Sequence, residues 1–491
     1  MNRTIFSRQD LMDSRPRRRL GLALVAVFCF VAPPASGQTP VSGRDQGFVP
    51  YSEEPIRYLS DRVNDPVARL QDRIDRGLAR LDFEAEHGYL KSVLKQLDVA
   101  VSSQTLVFSK SSFQYRKISP QTPRALYYND NVYVGWVKDG HSLEIASFDP
   151  DQGAIFYLLE QQPSDQPAFV RATLDCTQCH VATGTRGVPG VLVRSIYTRP
   201  SGTQATYTSS FVSGLESPLK ERFGGWYVTG THGRQTHMGN VFVVDREHPE
   251  RLDVKAGANL VRLVDRFPTA PYLTPHSDIV AQMVLAHQTQ MHNLITLTNF
   301  QTRLALHAEA GKNGASGRSS GALSESARRQ IERPAEELVR YLLFAAEAPL
   351  DDPIAGTSGF SEEFAARGPR DPRGRSLRDF DLQRRLFKYP CSYLIYSEAF
   401  DALPEPARDH VYRRLLEVLS GRDQGPAFAR LSAPDRQAIL EILLATKRGL
   451  PDEWKDARLA RRDACTSGPK PDAPSSRPSR WPDHSTGPAI E

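Results

Sequence analysis

The chain predicts an α+β fold, with a β-rich central region followed by a mainly helical C-terminal half. Three observations lead there. Between residues 105 and 244, short runs rich in Val, Tyr, Phe and Trp alternate with clusters of Gly, Asn, Asp and Pro, the pattern of strands joined by turns. From about residue 274 onward, apolar residues recur at helical spacing over long segments. Within the strand-rich region lies one compact motif, Cys176-Thr177-Gln178-Cys179-His180.

In chain order, residues 1–37 read as a secretory signal peptide. Arg15, Arg17, Arg18 and Arg19 precede an apolar run at 20–32, and Ala35-Ser36-Gly37 offers small residues for cleavage. The run is short for a transmembrane helix, and an uncleaved anchor is the alternative. Residues 38–100 form an N-terminal helical segment. Asp65-Pro66 opens one helix, with Val67, Leu70, Ile74, Leu78 and Leu81 on one face, and residues 89–97 supply a second. Residues 101–250 form the β-rich region. Strands are expected at 105–108, on both sides of Asn129-Asp130-Asn131, at 143–148 and 154–159 around an Asp-Pro-Asp-Gln-Gly turn, and at 191–197, 205–211, 226–229 and 241–244. Residues 251–460 are helical. Thr274-Pro275 starts a long buried helix, and further helices are expected at 325–347, 379–400, 405–420 and 433–448. Surface loops are expected at 312–321 and 357–376. Residues 461–491, rich in Pro, Ser and Gly, read as a disordered tail.

The formal charge of +5 is concentrated at the N-terminus, where residues 1–37 hold six arginines and two aspartates. The remainder, with 56 basic and 55 acidic residues, is nearly neutral, so no basic surface for nucleic acid follows. No membrane span is expected once the signal is cleaved.

C-x-x-C-H is the attachment sequence of c-type haem. Two thiols three positions apart reach the two vinyl groups of one porphyrin and form thioethers, and the histidine that follows supplies an axial nitrogen to the iron. Cys176, Cys179 and His180 are thus the expected binding residues for one covalently attached haem c. Competing readings fit less well. A thioredoxin-like dithiol belongs to a cytosolic β-α-β context. A zinc knuckle needs two more close ligands, and Cys29, Cys391 and Cys465 form no second C-x-x-C. Haem is joined to protein outside the bacterial cytoplasm, so the export signal and the motif support each other. The expected location is the periplasm. There Cys391 and Cys465 form a disulfide or remain as free thiols.

The sixth iron position takes methionine, histidine, another group or nothing. Met238 ranks first, because it sits in a polar, glycine-bearing stretch with little core to fill. His237 and His232 in the same stretch are alternatives, and so is an open site. Met283 and Met291 read as core. His287 and His292, five apart on the long helix, read as satisfied, partly buried histidines, and His276 as a local hydrogen-bonding residue. Trp226 and Tyr227 wall a haem pocket or fill the sheet core. Arg186 and Arg194 pair with propionates or lie in solvent.

With these residues in hand, the chain resembles a family of exported, cytochrome c-like bacterial proteins with a single C-x-x-C-H haem site. The matching segments are 125–136, 143–149, 176–180, 222–233, 237–240, 277–288 and 388–396, within about residues 60–455. The resemblance implies haem binding and electron transfer, and implies no substrate. The arrangement differs from small all-α cytochrome c, where the motif sits near the start of a short helical chain. A fainter resemblance to di-haem bacterial cytochrome c peroxidases lacks their second C-x-x-C-H.

The expected function is that of a periplasmic monohaem c-type cytochrome passing single electrons to and from a redox partner protein. The alternatives are a haem peroxidase or oxidase with an open distal site, in which His232 or His237 acts as acid and base, and a haem-based sensor or subunit of a redox complex.

Overall fold

In the computed structural model the described residues are 49–60, 62–316 and 323–454. The expected signal peptide, the tail, Cys29 and Cys465 lie outside them. Near the N-terminal end, the helix at Pro66–Asp75 (α1) starts where expected. The Asp65 carboxylate accepts from the Val67 and Ala68 N–H groups, at 2.9 and 3.3 Å, which satisfies two orphan donors of the first turn. It stops before Leu78, because Gly77 turns the chain with φ +69°, and Leu78 is exposed rather than on the buried face. The second helix is Leu90–Gln96 (α2).

The centre is one antiparallel sheet with an inserted motif helix. Its strands are Thr105–Val107 (β1), Arg124–Tyr128 (β2), Val132–Trp136 (β3), Ser142–Asp149 (β4), Gly153–Glu160 (β5) and Val170–Arg171 (β6). Then come the helix Leu174–His180 (α3), a hairpin of Val193–Ile196 (β7) and Ser210–Ser213 (β8), and the strand Trp226–Tyr227 (β9). The seven-stranded order is β6-β5-β4-β3-β2-β1-β9. Both expected turns form, each around a side chain that caps backbone donors. Asn129 Oδ1 accepts from Asn131 and Val132 N–H, and Asp149 Oδ1 from Asp151 and Gln152 N–H.

Because side chains alternate along a strand, the sheet has two apolar faces. Val107, Tyr128, Tyr133, Phe148, Phe156 and Trp226 share one face and pack with the C-terminal helices. Leu106, Tyr127, Val134, Ile145, Tyr157 and Tyr227 share the other and pack with α1 and α2. Tyr157 on that face also donates to Asp65 Oδ2 at 2.7 Å, which ties the first helix to the sheet. The residues at 241–244 form no strand. Asn240, at φ +67°, pairs its side-chain amide with both the N–H and C=O of Val228, so β9 ends at Tyr227.

The C-terminal half is helical, with Ile279–Ser316 (α4), Glu325–Leu342 (α5), Phe360–Ala366 (α6), Glu398–Asp401 (α7), Glu405–Leu419 (α8) and Ala433–Thr446 (α9). α4 begins just after Asp278, whose carboxylate accepts from Val280 and Ala281 N–H, and not at Thr274-Pro275. It continues into the expected loop at 312–321, and α6 interrupts the expected loop at 357–376. Residues 379–400 are mostly irregular around an aromatic cluster of Phe364, Phe380, Phe387 and Tyr393. Among the described residues, no helix is long and apolar enough to cross a membrane.

α4 is buried along its whole length from Ile279 to Phe300, polar residues included. Several of its amide side chains donate to neighbouring backbone carbonyls, which gives those buried donors a partner. Gln282 Nε2 donates to the Tyr227 carbonyl at 2.7 Å, and Gln290 Nε2 to that of Gly184 at 3.2 Å.

One acidic group shortly after α5, Glu347, reports on pH. Glu347 Oε1 accepts from Leu386 N–H at 2.8 Å, and burial raises its pKa from 4.5 to about 7. The folded state then holds that proton more tightly than the unfolded chain. Its contribution is complete below about pH 4.5 and lost as pH rises through about 7. Glu347→Gln keeps an acceptor for Leu386 without the charge. It is expected to stabilise the protein by about 1–3 kcal/mol at pH 8 and by little at pH 4, read by chemical denaturation at the two pH values.

Candidate functional site

α3 carries the motif. It is a helix of seven residues between the edge strand β6 and a tight turn, closed by Val181 N–H donating to the Thr177 carbonyl at 2.9 Å. At 3.6 residues per turn, Cys176, Cys179 and His180 fall within an arc of about 100° on one face. Cys176 is buried, Cys179 is exposed and His180 is half-buried. Around the arc Cys176 lies in the middle, with exposed Cys179 on one side and His180 on the other.

The His180 ring packs on Phe156 of β5, with centroids 4.7 Å apart. Its Nδ1–H donates to the Gly190 carbonyl at 2.9 Å, and Gly190 N–H donates back to the His180 carbonyl at 3.0 Å. This bond sets the tautomer. The proton sits on Nδ1, and Nε2 keeps its lone pair with no hydrogen-bonding partner among the described residues. Burial lowers the pKa of His180, so the ring is neutral near pH 7. A neutral imidazole held by its other nitrogen is the form that ligates a metal. The ion pair Arg124–Glu144, at 2.8 Å on the same sheet face, is close enough to act electrostatically on both His180 and Cys176. Leu174 and Val170, beside the motif, expose apolar side chains.

Burial pushes the Cys176 thiol up to about 12, and Glu144, Asp175 and Cys179 add to the shift. A thiol so raised is almost wholly protonated near neutral pH, and only the thiolate attacks alkylating agents. In the folded, haem-free chain at pH 8, Cys176 is expected to react with iodoacetamide about a hundredfold more slowly than in the denatured chain, while exposed Cys179 reacts readily in both. Peptide mass mapping of a time course reads the difference. Among the described residues Cys176, Cys179 and Cys391 are free. Cys391 is fully buried, and burial raises its thiol to about 12.

The other expected residues are arranged differently. Met238 is buried, and its sulfur accepts from the Ser195 hydroxyl at 3.7 Å while its N–H donates to the Arg222 carbonyl at 2.9 Å. His232 and His237 are buried side by side, with ring centroids 4.7 Å apart and planes tilted by 60°. Asn259 N–H donates to His232 Nε2, and Gly239 N–H to His237 Nδ1, both at 3.0 Å. Burial, with His232 beside it, lowers the pKa of His237 to about 3. No hydrogen bond or ring contact joins Met238, His232 or His237 to α3 among the described residues. Trp226 and Tyr227 point to opposite sheet faces, so they do not wall one pocket. Trp226 Nε1 donates to the Arg194 carbonyl at 2.8 Å. Arg186 pairs with Glu337 at 3.4 Å.

His287 and His292 are fully buried rather than partly so. His287 Nε2 meets Ser392 Oγ at 2.9 Å and leaves Nδ1 unpaired. His292 stands edge-on to Phe148, with centroids 3.9 Å apart, and both of its nitrogens are unpaired. His276 Nδ1 is also buried without a partner, so its ring is not the local hydrogen-bonding group expected.

Three contributors to the site carry no motif. Phe156 is an ordinary strand residue, Gly190 follows the motif by ten positions, and Asn293 of α4 pairs its side-chain amide with the backbone of Val191, next to Gly190. Comparison with protein-family models, curated proteins and solved structures gave no match to the chain.

Proposed function

We propose that this chain is an exported monohaem c-type cytochrome that passes single electrons between partner proteins. Cys176 and Cys179 would hold the porphyrin through two thioethers, and His180 Nε2 would ligate the iron. The observation that carries this reading is the state of His180. Its Nδ1 is committed to Gly190, its Nε2 is unclaimed, and it shares one helix face with both cysteines. The haem would supply a one-electron couple on iron. The protein's part is to fix the imidazole, exclude water through Phe156 and the sheet, and keep the charge of the Arg124–Glu144 pair close by.

One observation favours the second reading, a haem enzyme with an open distal side. The Met238 sulfur already accepts a hydroxyl, and His232 and His237 are engaged with each other and with backbone. The test is direct. Protein exported from cells competent in cytochrome maturation is expected to stay coloured on denaturation, with a mass greater than the polypeptide by one haem. A colourless protein of bare-chain mass rejects the proposal. Met238→Ala then separates the readings. A low-spin spectrum that turns high-spin in this variant supports the methionine-ligated carrier, whereas a wild-type high-spin ferric spectrum that shifts with cyanide supports the enzyme.

A further inference from the structure

The geometry points to Asn293 as a positioning residue that sets the axial imidazole from outside the motif, an inference that rests on the proposed haem attachment at His180. The carbonyl that receives His180 Nδ1–H belongs to Gly190, and each neighbour of Gly190 is separately tied. The Pro189 carbonyl accepts from Ala154 N–H of β5 at 3.2 Å. The peptide groups of Val191 pair with one side chain. Val191 N–H donates to Asn293 Oδ1 at 3.2 Å, and Asn293 Nδ2 donates to the Val191 carbonyl at 2.8 Å.

A side-chain amide that pairs with both groups of one residue fixes the orientation of the backbone around it. Here it also fixes the carbonyl one residue earlier, aimed at the imidazole. Gly190 permits this close approach. A Cβ there would lie 2.1 Å from Asn293 Oδ1, so no side chain fits between the loop and α4. Asn293 is wholly buried on a helix that is itself buried around it, so it has no solvent into which to swing. Apart from the His180 ring itself, Asn293 is the only side chain that hydrogen-bonds to residues 189–191 among the described residues.

A carbonyl held on the second nitrogen makes an axial imidazole a stronger donor and so lowers the reduction potential, and it locks the ring's orientation and tautomer. Asn293 thus links the motif helix to the central helix of the C-terminal half and tunes the couple without touching the haem.

The test compares Asn293→Leu, of similar volume, with Asn299→Leu on the same buried helix. Asn299 Nδ2 donates to the Ala402 carbonyl at 3.5 Å, in the C-terminal half. In haem-loaded protein, Asn293→Leu is expected to move the midpoint potential in the positive direction, and Asn299→Leu to leave it at the wild-type value. On the exported protein as purified, nitrogen NMR is expected to show the His180 Nδ1 proton protected and in one tautomer in wild type and Asn299→Leu, and exchanging in Asn293→Leu. Equal potentials in Asn293→Leu and wild type overturn the proposal, as does an unmoved His180 signal. If Asn293→Leu does not fold, Asn293→Ser, which keeps one hydroxyl, carries the same comparison. Wild-type protein without covalent haem overturns the proposed function, and the NMR comparison still decides whether Asn293 holds His180.

Discussion

Exported protein carrying both Cys176→Ala and Cys179→Ala is expected to have the mass of the bare polypeptide and to lose all colour on denaturation. The two single variants are expected to differ from it and from each other. Each keeps one thiol and so one possible thioether, which is enough to retain porphyrin through unfolding. Their stabilities should diverge, because the two cysteines occupy different environments. Cys176 belongs to the core cluster that also holds Phe156, Val191 and Val193, whereas Cys179 faces solvent. Truncating a buried side chain leaves a gap that the sheet fills only in part, so Cys176→Ala carries a packing cost of about 1–2 kcal/mol that Cys179→Ala avoids. Denaturant midpoints of the haem-free chains read that cost, and intact mass reads attachment. The same contrast bears on the order of events. With Cys176 enclosed and its thiol pushed to about 12, the folded chain presents one reactive sulfur and not two. Attachment is then expected to precede closure of the sheet over Cys176. A prefolded chain supplied with haem and reductant should form at most one thioether, at Cys179. Two thioethers formed on the prefolded chain would remove this ordering.

Signals that are local in sequence were legible. Asp65-Pro66 caps a helix with atoms that lie within three residues, and the turns at 129–131 and 149–153 are closed by side chains within the turn. The motif was legible for the same reason, since its three groups sit on one short helix. What the sequence hid was settled at long range. Thr274-Pro275 has the chemistry of a helix start, but the backbone there is already engaged. Gln104 Nε2 donates to the Thr274 and His276 carbonyls, and the Ser277 carbonyl accepts from Thr229 N–H, so the helix begins only after Asp278. Residues 379–400 have helical spacing of apolar groups, yet aromatic stacking with α6 holds them irregular. Asn293 was hidden because its partner is a peptide a hundred positions away. One signal did exist. A helix with Gln, His and Asn on every face, yet rich in Ile, Val and Leu, has no polar side to give to water, so those groups must find partners inside.

That interior polarity makes Gln288 the residue whose loss is expected to cost the most stability. Its Nε2 donates to the Asn129 carbonyl at 2.7 Å and to the Tyr133 hydroxyl at 2.8 Å, and its Oε1 accepts from the Tyr393 hydroxyl. One fully buried amide therefore joins the β2–β3 turn, the sheet face and the irregular segment after α6. Gln288→Leu matches its size but strands three polar groups in the core. An orphaned buried group costs about 1–3 kcal/mol, so a loss of about 3–6 kcal/mol is expected, less whatever water reaches the turn carbonyl. The cost comes from the partners left behind and not from the missing amide, which yields a sharper test than the single variant. Removing the two hydroxyls together with the amide, as Gln288→Leu with Tyr133→Phe and Tyr393→Phe, should recover about half of the loss or more, because apolar groups then meet apolar groups. The two Tyr→Phe changes in an otherwise native chain should instead destabilise, since they deprive the amide of its partners. If the triple variant is as unstable as Gln288→Leu alone, the hydroxyls are not what the amide satisfies, and packing at position 288 accounts for the loss. Urea denaturation of the four proteins separates the two outcomes, and the sign of the coupling decides between them.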